Sequence, residues 1–275
     1  MVDIFFDPSS FMGIIIVKFD SNHESGVDKV MKKYFWILIF ACISQLYAKV
    51  LDVSYAVDFG MFGQMGVCDA HLKSTDTAYT IDIGVKATGI AKVLSRNRQE
   101  RHTSQGSLHN GMFRFKTYKV VKTYGEKYIE KRYRADSKHK KVTKYVLKKR
   151  GGQISAEKEQ VLDFYTPNDL LTLYFNLPKL IEDMSKPGKY TFKAAGAERQ
   201  KGLVEVIIPK RETLSRYEKI LGKGDYWYMT VIIHQKIFAS NRGELMLAIG
   251  KDGIVEKAVL KDLVMFGDLV AKRIK

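Results

Sequence analysis

Leu51-Asp52-Val53-Ser54-Tyr55-Ala56-Val57-Asp58-Phe59 repeats with a period of two. Val53, Tyr55, Val57 and Phe59 fall on one side, and Asp52, Ser54, Ala56 and Asp58 on the other. Successive side chains of a strand point to opposite faces, so this is a strand with one buried and one wet face. The same period recurs outward along the chain. Gly60 to Gly66 holds three glycines and reads as a turn, after which Cys68, Ala70 and Leu72 alternate again. Tyr79, Ile81, Ile83 and Val85 then oppose Thr80, Asp82 and Lys86. Ala91 to Gly111 is poor in apolar residues and rich in Arg, Ser, Asn and Gln, which predicts a loop with a short helical start. From Met112 to Arg150 the aromatics Phe113, Phe115, Tyr118, Tyr124, Tyr128, Tyr133 and Tyr145 lie among lysines and arginines. Turns at Gly125-Glu126 and Asp136-Ser137 divide that stretch into two or three long strands, and Gly151-Gly152 closes it.

One segment breaks the period. Thr166 reads as a helix cap, Pro167 as the first helical residue and Asp169 as the acid of a capping box. Leu170, Leu171, Leu173, Tyr174 and Leu177 then build an apolar stripe. Pro178 is expected to end or bend this helix, with a short second turn over Leu180 to Met184. Strand patterns return at Tyr190 to Ala194, Leu203 to Ile208, Tyr226 to Ile233, Glu244 to Ile249, Ile254 to Leu260 and Val264 to Arg273, with a hairpin turn at Gly250-Lys251-Asp252-Gly253. Some ten antiparallel strands and one helix predict a mainly β fold: a single curved sheet, or partly closed β-barrel, with one packed central helix. No repeat or low-complexity linker divides it, so residues 49–275 read as a single β-rich domain.

The segment before that domain has a different character. Met31-Lys32-Lys33, an apolar run from Tyr34 to Ile43, and Ser44-Gln45-Leu46-Tyr47-Ala48 follow the layout of a secretory signal peptide, with cleavage between Ala48 and Lys49. A membrane span needs about 20 apolar residues, and this run is too short. Residues 31–48 are therefore read as the signal, Met31 as the start, and residues 1–30 as an upstream over-call containing no domain. The expected location is the periplasm of a bacterial cell. Ile39-Phe40-Ala41-Cys42 offers an alternative, a lipoprotein site that would tether the chain to a membrane through Cys42.

Cutting after Ala48 leaves 227 residues with 42 basic and 25 acidic side chains, a net charge of +17. Met112 to Arg150 alone carries fifteen Lys/Arg against three acids. This stretch supplies a candidate surface for an anionic ligand: Arg114, Lys116, Lys119, Lys122, Lys131, Arg132, Arg134, Lys144 and Lys148. In an exported protein the polyanions within reach are lipid headgroups, lipopolysaccharide and cell-wall polymers, and nucleic acid is excluded unless export fails. The plain alternative is that long hairpins simply turn their lysines outward. Cys68 is the lone cysteine after the cut, so no internal disulfide forms, and it reads as a small buried hydrophobe in a strand.

Catalytic motifs are missing from the chain. His23, His71, His102, His109, His139 and His234 match no zinc or nucleophile spacing, Asp69 with His71 and Glu244 near His234 included. Gly222-Lys223-Gly224 lacks the length of a phosphate loop, and Asp163 with Asp169 is explained at Asp169 by capping. The sequence thus predicts a non-enzyme without metal or cofactor.

Three segments resemble the exported bacterial proteins of domain-of-unknown-function family 3108. They are Tyr55–Phe59 with Gly66–Leu72, Asp163–Tyr165 with Asp169–Tyr174, and Glu244–Ile249 through Ile254-Val255 to Phe266–Ala271. Thr172 replaces a serine frequent in that family's helix, a proline usual near Val255 is missing, and the basic stretch from Met112 to Arg150 is longer. The resemblance implies an envelope location and a barrel-like fold, and it transfers no activity. The resulting expectation is a binding or envelope-maintenance protein whose Leu170, Leu171, Tyr174 and Phe175 form core or an apolar groove. The alternative is an assembly factor that docks an envelope protein through its basic face. An apolar internal cavity separates the two.

Overall fold

The computed structural model describes residues 49–60, 63–198, 200–234, 244–263 and 267–275. The signal segment, Cys42 and the upstream thirty residues lie outside these, and of the expected cleavage pair only Lys49 is described. The strands are β1 (Lys49–Phe59), β2 (Gln64–Ser74), β3 (Ala78–Ala87), β4 (Gln99–His109), β5 (Met112–Tyr124), β6 (Lys127–Asp136), β7 (Lys141–Arg150) and β8 (Gln153–Val161). After the central helix come β9 (Gly188–Lys193), β10 (Leu203–Ile208), β11 (Trp227–Ile232), β12 (Glu244–Ile249), β13 (Val255–Leu263) and β14 (Gly267–Arg273). Among the described residues three α-helices interrupt them: α1 (Gly89–Leu94), α2 (Leu170–Leu180) and α3 (Arg211–Leu221).

All fourteen strands join one antiparallel, curved and unclosed sheet in the order β8-β7-β6-β5-β4-β3-β2-β1-β14-β13-β12-β11-β10-β9. Every pair is a sequence-adjacent hairpin or meander except β1 with β14, where Tyr55, Val57 and Phe59 stand opposite Arg273, Ala271 and Leu269. The free edges are β8 and β9. Strand β8 is exposed along its whole length and carries Glu157, Lys158 and Glu159, charges that discourage pairing with another chain.

Helix α2 sits inside the curve. Leu173 and Leu177 are buried against Val204, Val206, Met229 and Leu247 of the C-terminal half-sheet. Leu171 packs on the clusters holding Tyr118 and Tyr133 and holding Leu72 and Ile81, in the N-terminal half. A single apolar helix thus supplies both halves with a common core. Burying side chains such as Leu173 and Leu177 contributes about 1.5–3 kcal/mol each.

The cap differs from expectation by three residues. Asp169, not Thr166, caps the helix: its Oδ1 accepts from the amides of Leu171 (2.8 Å) and Thr172 (2.9 Å), and Thr172 Oγ1 accepts from the Asp169 amide (2.8 Å). Thr166 instead donates to the Lys193 carbonyl (2.7 Å), and the Pro167 carbonyl accepts from Phe115 N–H (3.1 Å). The approach to the helix is therefore strapped to β9 and β5. The helix also passes through Pro178 and stops at Leu180, and the expected second helical turn is replaced by bends.

Three further elements depart from the sequence reading, the first being β8, which follows Gly151-Gly152 where the strands were expected to close and has no buried face to announce it. The predicted loop over Ala91 to Gly111 contains β4, whose inward residues His102 and Ser104 serve a polar network rather than an apolar core, so hydrophobic alternation does not reveal it. Opposite Gln105 and Gly106 the partner strand β5 is bulged, with Lys116 as its extra residue, and a Cβ at Gly106 would lie 2.0 Å from the Arg114 carbonyl oxygen. Helix α3 was not anticipated. Its Leu214, Tyr217 and Leu221 stripe covers the outer face of the sheet at Tyr228, Met246, Ala248 and Val259, and Tyr217 hydrogen-bonds Thr230 (2.7 Å).

Candidate functional site

Between α2 and the sheet lies a cavity of about 320 Å³. On one side, β1 to β3 contribute Leu51, Val53, Tyr55, Cys68, Ala70, Leu72, Ile81 and Ile83. On the other, β12 to β14 contribute Leu245, Leu247, Val255, Ala258 and Ala271, and Leu171, Tyr174 and Phe175 of α2 form a further wall. The lining is the inward-facing row of each strand, because the registers Leu51↔Leu72, Val53↔Ala70 and Val57↔Ala271 keep apolar residues on a single face. Small side chains at Ala70, Ala258 and Ala271 leave the space. Such walls give water few hydrogen-bond partners, so an apolar molecule displaces weakly held solvent. The volume falls in the range of about 300–1,000 Å³ usual for small-molecule sites.

The phenol of Tyr55 and the thiol of Cys68 at this cavity are chemically quiet. Burial pushes the Tyr55 phenol up to about 12, and burial with the neighbouring Asp69 pushes the Cys68 thiol up to about 11. Both therefore stay protonated near neutral pH, and Cys68 makes a poor nucleophile. Tyr174 donates to the Gly253 carbonyl (2.6 Å), tying α2 to the β12–β13 turn.

No family model and no curated protein matches the chain. Its fold is similar to that of a solved structure. That structure is a beta-barrel-like protein of the domain of unknown function DUF1849 from Brucella abortus, 13% identical, with a TM-score of 0.47 over 84% of this chain and 97% of that one.

A buried polar network adjoins the cap of α2. Asp169 is fully buried and accepts from Ser104 Oγ (2.5 Å), and Ser104 also meets Tyr79 Oη (3.1 Å). Burial lifts the Asp169 carboxyl to about 6, while the hydrogen bonds from Ser104, Thr172 and Leu171 pull the other way. Alongside it, His102 bridges Tyr118 (2.7 Å) and Glu100 (2.8 Å), and Glu100 meets Lys122 (2.7 Å). Burial opposes ionisation of Glu100, but the His102 and Lys122 contacts outweigh it and hold the carboxyl at about 2. Tyr118 stacks on Tyr133, which donates to Glu198 (3.0 Å), itself paired with Lys131 (2.6 Å) and Lys144 (2.9 Å). These partners satisfy one another and bind β3 to β7 to the segment after β9. Ser104, Glu100 and Glu198 escaped the sequence reading. The alternation Glu100, His102, Ser104 on one strand face was the available signal.

The sequence-predicted residues separate into groups. Leu171, Tyr174 and Phe175 line the cavity, whereas Leu170 packs into the core beside Leu173 and Leu177. The nine candidate cations divide between the faces of the sheet. In register with inward Tyr118 and Tyr133, the residues Lys122, Lys131, Lys144 and Lys148 point inward, and Lys119, Arg132 and Arg134 point outward. Arg114 lies beside the bulge in β5, Lys116 is its extra residue, and both are exposed. Lys122, Lys131, Lys144 and Arg132 are paired with Glu100, Glu198, Glu198 and Glu130. Asp69 and His71 also part: Asp69 accepts from Ser54 Oγ (2.7 Å), and His71 pairs with Asp52 (2.5 Å). His234 stands 3.2 Å from Glu205. Exposed Asp163 and buried Asp169 do not form a carboxylate pair. Among the described residues no helix is long and apolar enough to cross a membrane.

Proposed function

We propose that this chain is an exported, non-catalytic binding protein of the bacterial cell envelope that holds an apolar ligand between α2 and the sheet. The single observation that carries the reading is the apolar cavity, which the alternative of a pure docking factor does not require. The distribution of the candidate cations over both faces also weakens a single basic docking face. Two sequence features support the envelope location: the signal-like layout of residues 31–48 and the resemblance to family 3108. The segments carrying that resemblance contribute Tyr55, Cys68, Leu171, Tyr174, Leu247 and Ala271 to the cavity wall.

The test begins with the natural protein from fractionated cells, weighed intact under native and denaturing conditions. A periplasmic chain starting at Lys49, carrying an organic-extractable apolar compound, is the expected result. Ala70→Leu fills the cavity and should abolish uptake of a fluorescent fatty-acid probe while leaving the fold intact. A wild-type chain that carries no such compound and takes up no probe would rule out the reading.

A further inference from the structure

The β3–β4 connection displays an apolar cluster that no part of the described fold covers. Ile90, Val93 and Leu94 of α1 are 67%, 77% and 73% exposed, and no residue of this helix is buried. Among the described residues, no other helix carries three exposed large apolar side chains. Lone exposed hydrophobics need no explanation, but three on one short protruding turn form a patch.

The turn is held in place. The Thr88 amide bonds the Met65 carbonyl (2.9 Å), the Ala87 amide bonds the Arg98 carbonyl (3.1 Å), and the Gly125 amide bonds the Arg96 carbonyl (2.7 Å). Gly151 bonds Glu126 in turn (3.0 Å), so α1, the β5–β6 turn and the β7–β8 turn lie side by side at one end of the sheet. That end is basic. Lys86, Lys92, Arg96, Lys127 and Arg150 are exposed there, with Glu126 the exposed acid among these turns. Tyr124 stands beside them, its ring 5.4 Å from Lys127 Nζ.

We infer that this end of the sheet docks on an anionic lipid bilayer, with Ile90, Val93 and Leu94 entering the headgroup boundary and the surrounding cations meeting lipid phosphates. An apolar tip ringed by charge of one sign is complementary to a bilayer, which offers hydrocarbon beneath an anionic surface. A protein partner would need a concave apolar site rimmed with acids. The inference is independent of the cavity, since none of these residues lines it.

The experiment is co-sedimentation of the full chain with vesicles of phosphatidylglycerol and phosphatidylethanolamine, and with phosphatidylcholine alone. Because residues 34–43 are themselves apolar, chains identical outside residues 90–96 are compared. The triple change Ile90→Ser, Val93→Ser, Leu94→Ser should lower partitioning into anionic vesicles at least ~10-fold. Lys92→Glu with Arg96→Glu should do the same, and wild-type binding should fall when salt shortens the screening length from about 8 Å to about 3 Å. Thermal unfolding should be unchanged in both variants, because the altered side chains are exposed. The Ala70→Leu cavity variant should keep vesicle binding, so failure of the cavity reading leaves this one standing. Equal partitioning of wild type and triple variant would overturn the inference. So would a patch that drives self-association or protein capture without vesicle binding.

Discussion

Asp169 concentrates the opposing demands on a buried residue. As a cap it must accept from two amides, and as a carboxylate it sits without solvent, 0% exposed. Asp169→Ala should lose the cap and strand Ser104, a cost of about 2–4 kcal/mol in urea denaturation. Asp169→Asn keeps an acceptor and should cost less. Its raised pKa favours the protonated form in the folded chain. Stability from this group is therefore complete below its ordinary 3.8 and is lost as pH rises toward about 6. That loss is on the order of 3 kcal/mol. Glu100 and Glu198, both held at about 2, act in the opposite sense: their stabilisation is present above 4.5 and lost as pH falls toward 2. Urea midpoints measured from pH 4 to 7 should decline for wild type and flatten in Asp169→Asn. Both chains should weaken below pH 4. None of this was legible in the sequence, where Asp169 read as part of a capping box but not as a buried charge.

Elements were legible to the degree that their packing is apolar. Strands β1 to β3, the strand at Leu203–Ile208 and the helix beginning near Asp169 follow from hydrophobic period. Strand β4 hides because its inner face carries Glu100, His102 and Ser104, whose partners come from β3, β5 and α2. Helix α3 hides for another reason. Leu214, Tyr217 and Leu221 form a narrow stripe amid charged neighbours, and their partners Tyr228, Met246, Ala248 and Val259 come from strands that follow later in the chain. The shared core on α2 makes Leu177 a sensitive position, and Leu177→Ala should cost about 2–5 kcal/mol by chemical denaturation. Gly106→Ala should also destabilise, by about 1–3 kcal/mol, because a Cβ would collide with the Arg114 carbonyl unless the bulge shifts.

At the scale of the whole molecule, the expected curved sheet around a central helix is the observed architecture, with more strands than the sequence suggested. The cavity was foreseen only as core or groove at Leu170, Leu171, Tyr174 and Phe175, of which the last three line it. Its other walls come from β1 to β3 and β12 to β14, more than 150 residues apart in the chain, and no local pattern announces their meeting. Deleting Gly267–Lys275 removes the strand that joins these walls. The shortened chain should expose two pairing edges and aggregate in light scattering at temperatures the full chain tolerates.

The pairing of β1 with β14 also sets a timetable. Every other strand finds its partner within the next stretch of chain, so each can form as soon as it is made. Strand β1 waits for β14, more than 200 residues later, before it acquires its second neighbour. Until then the ribosome holds two separate ribbons, and the compartment between them does not exist. The stitch that completes the container joins the two strands of the sheet that lie farthest apart in the chain.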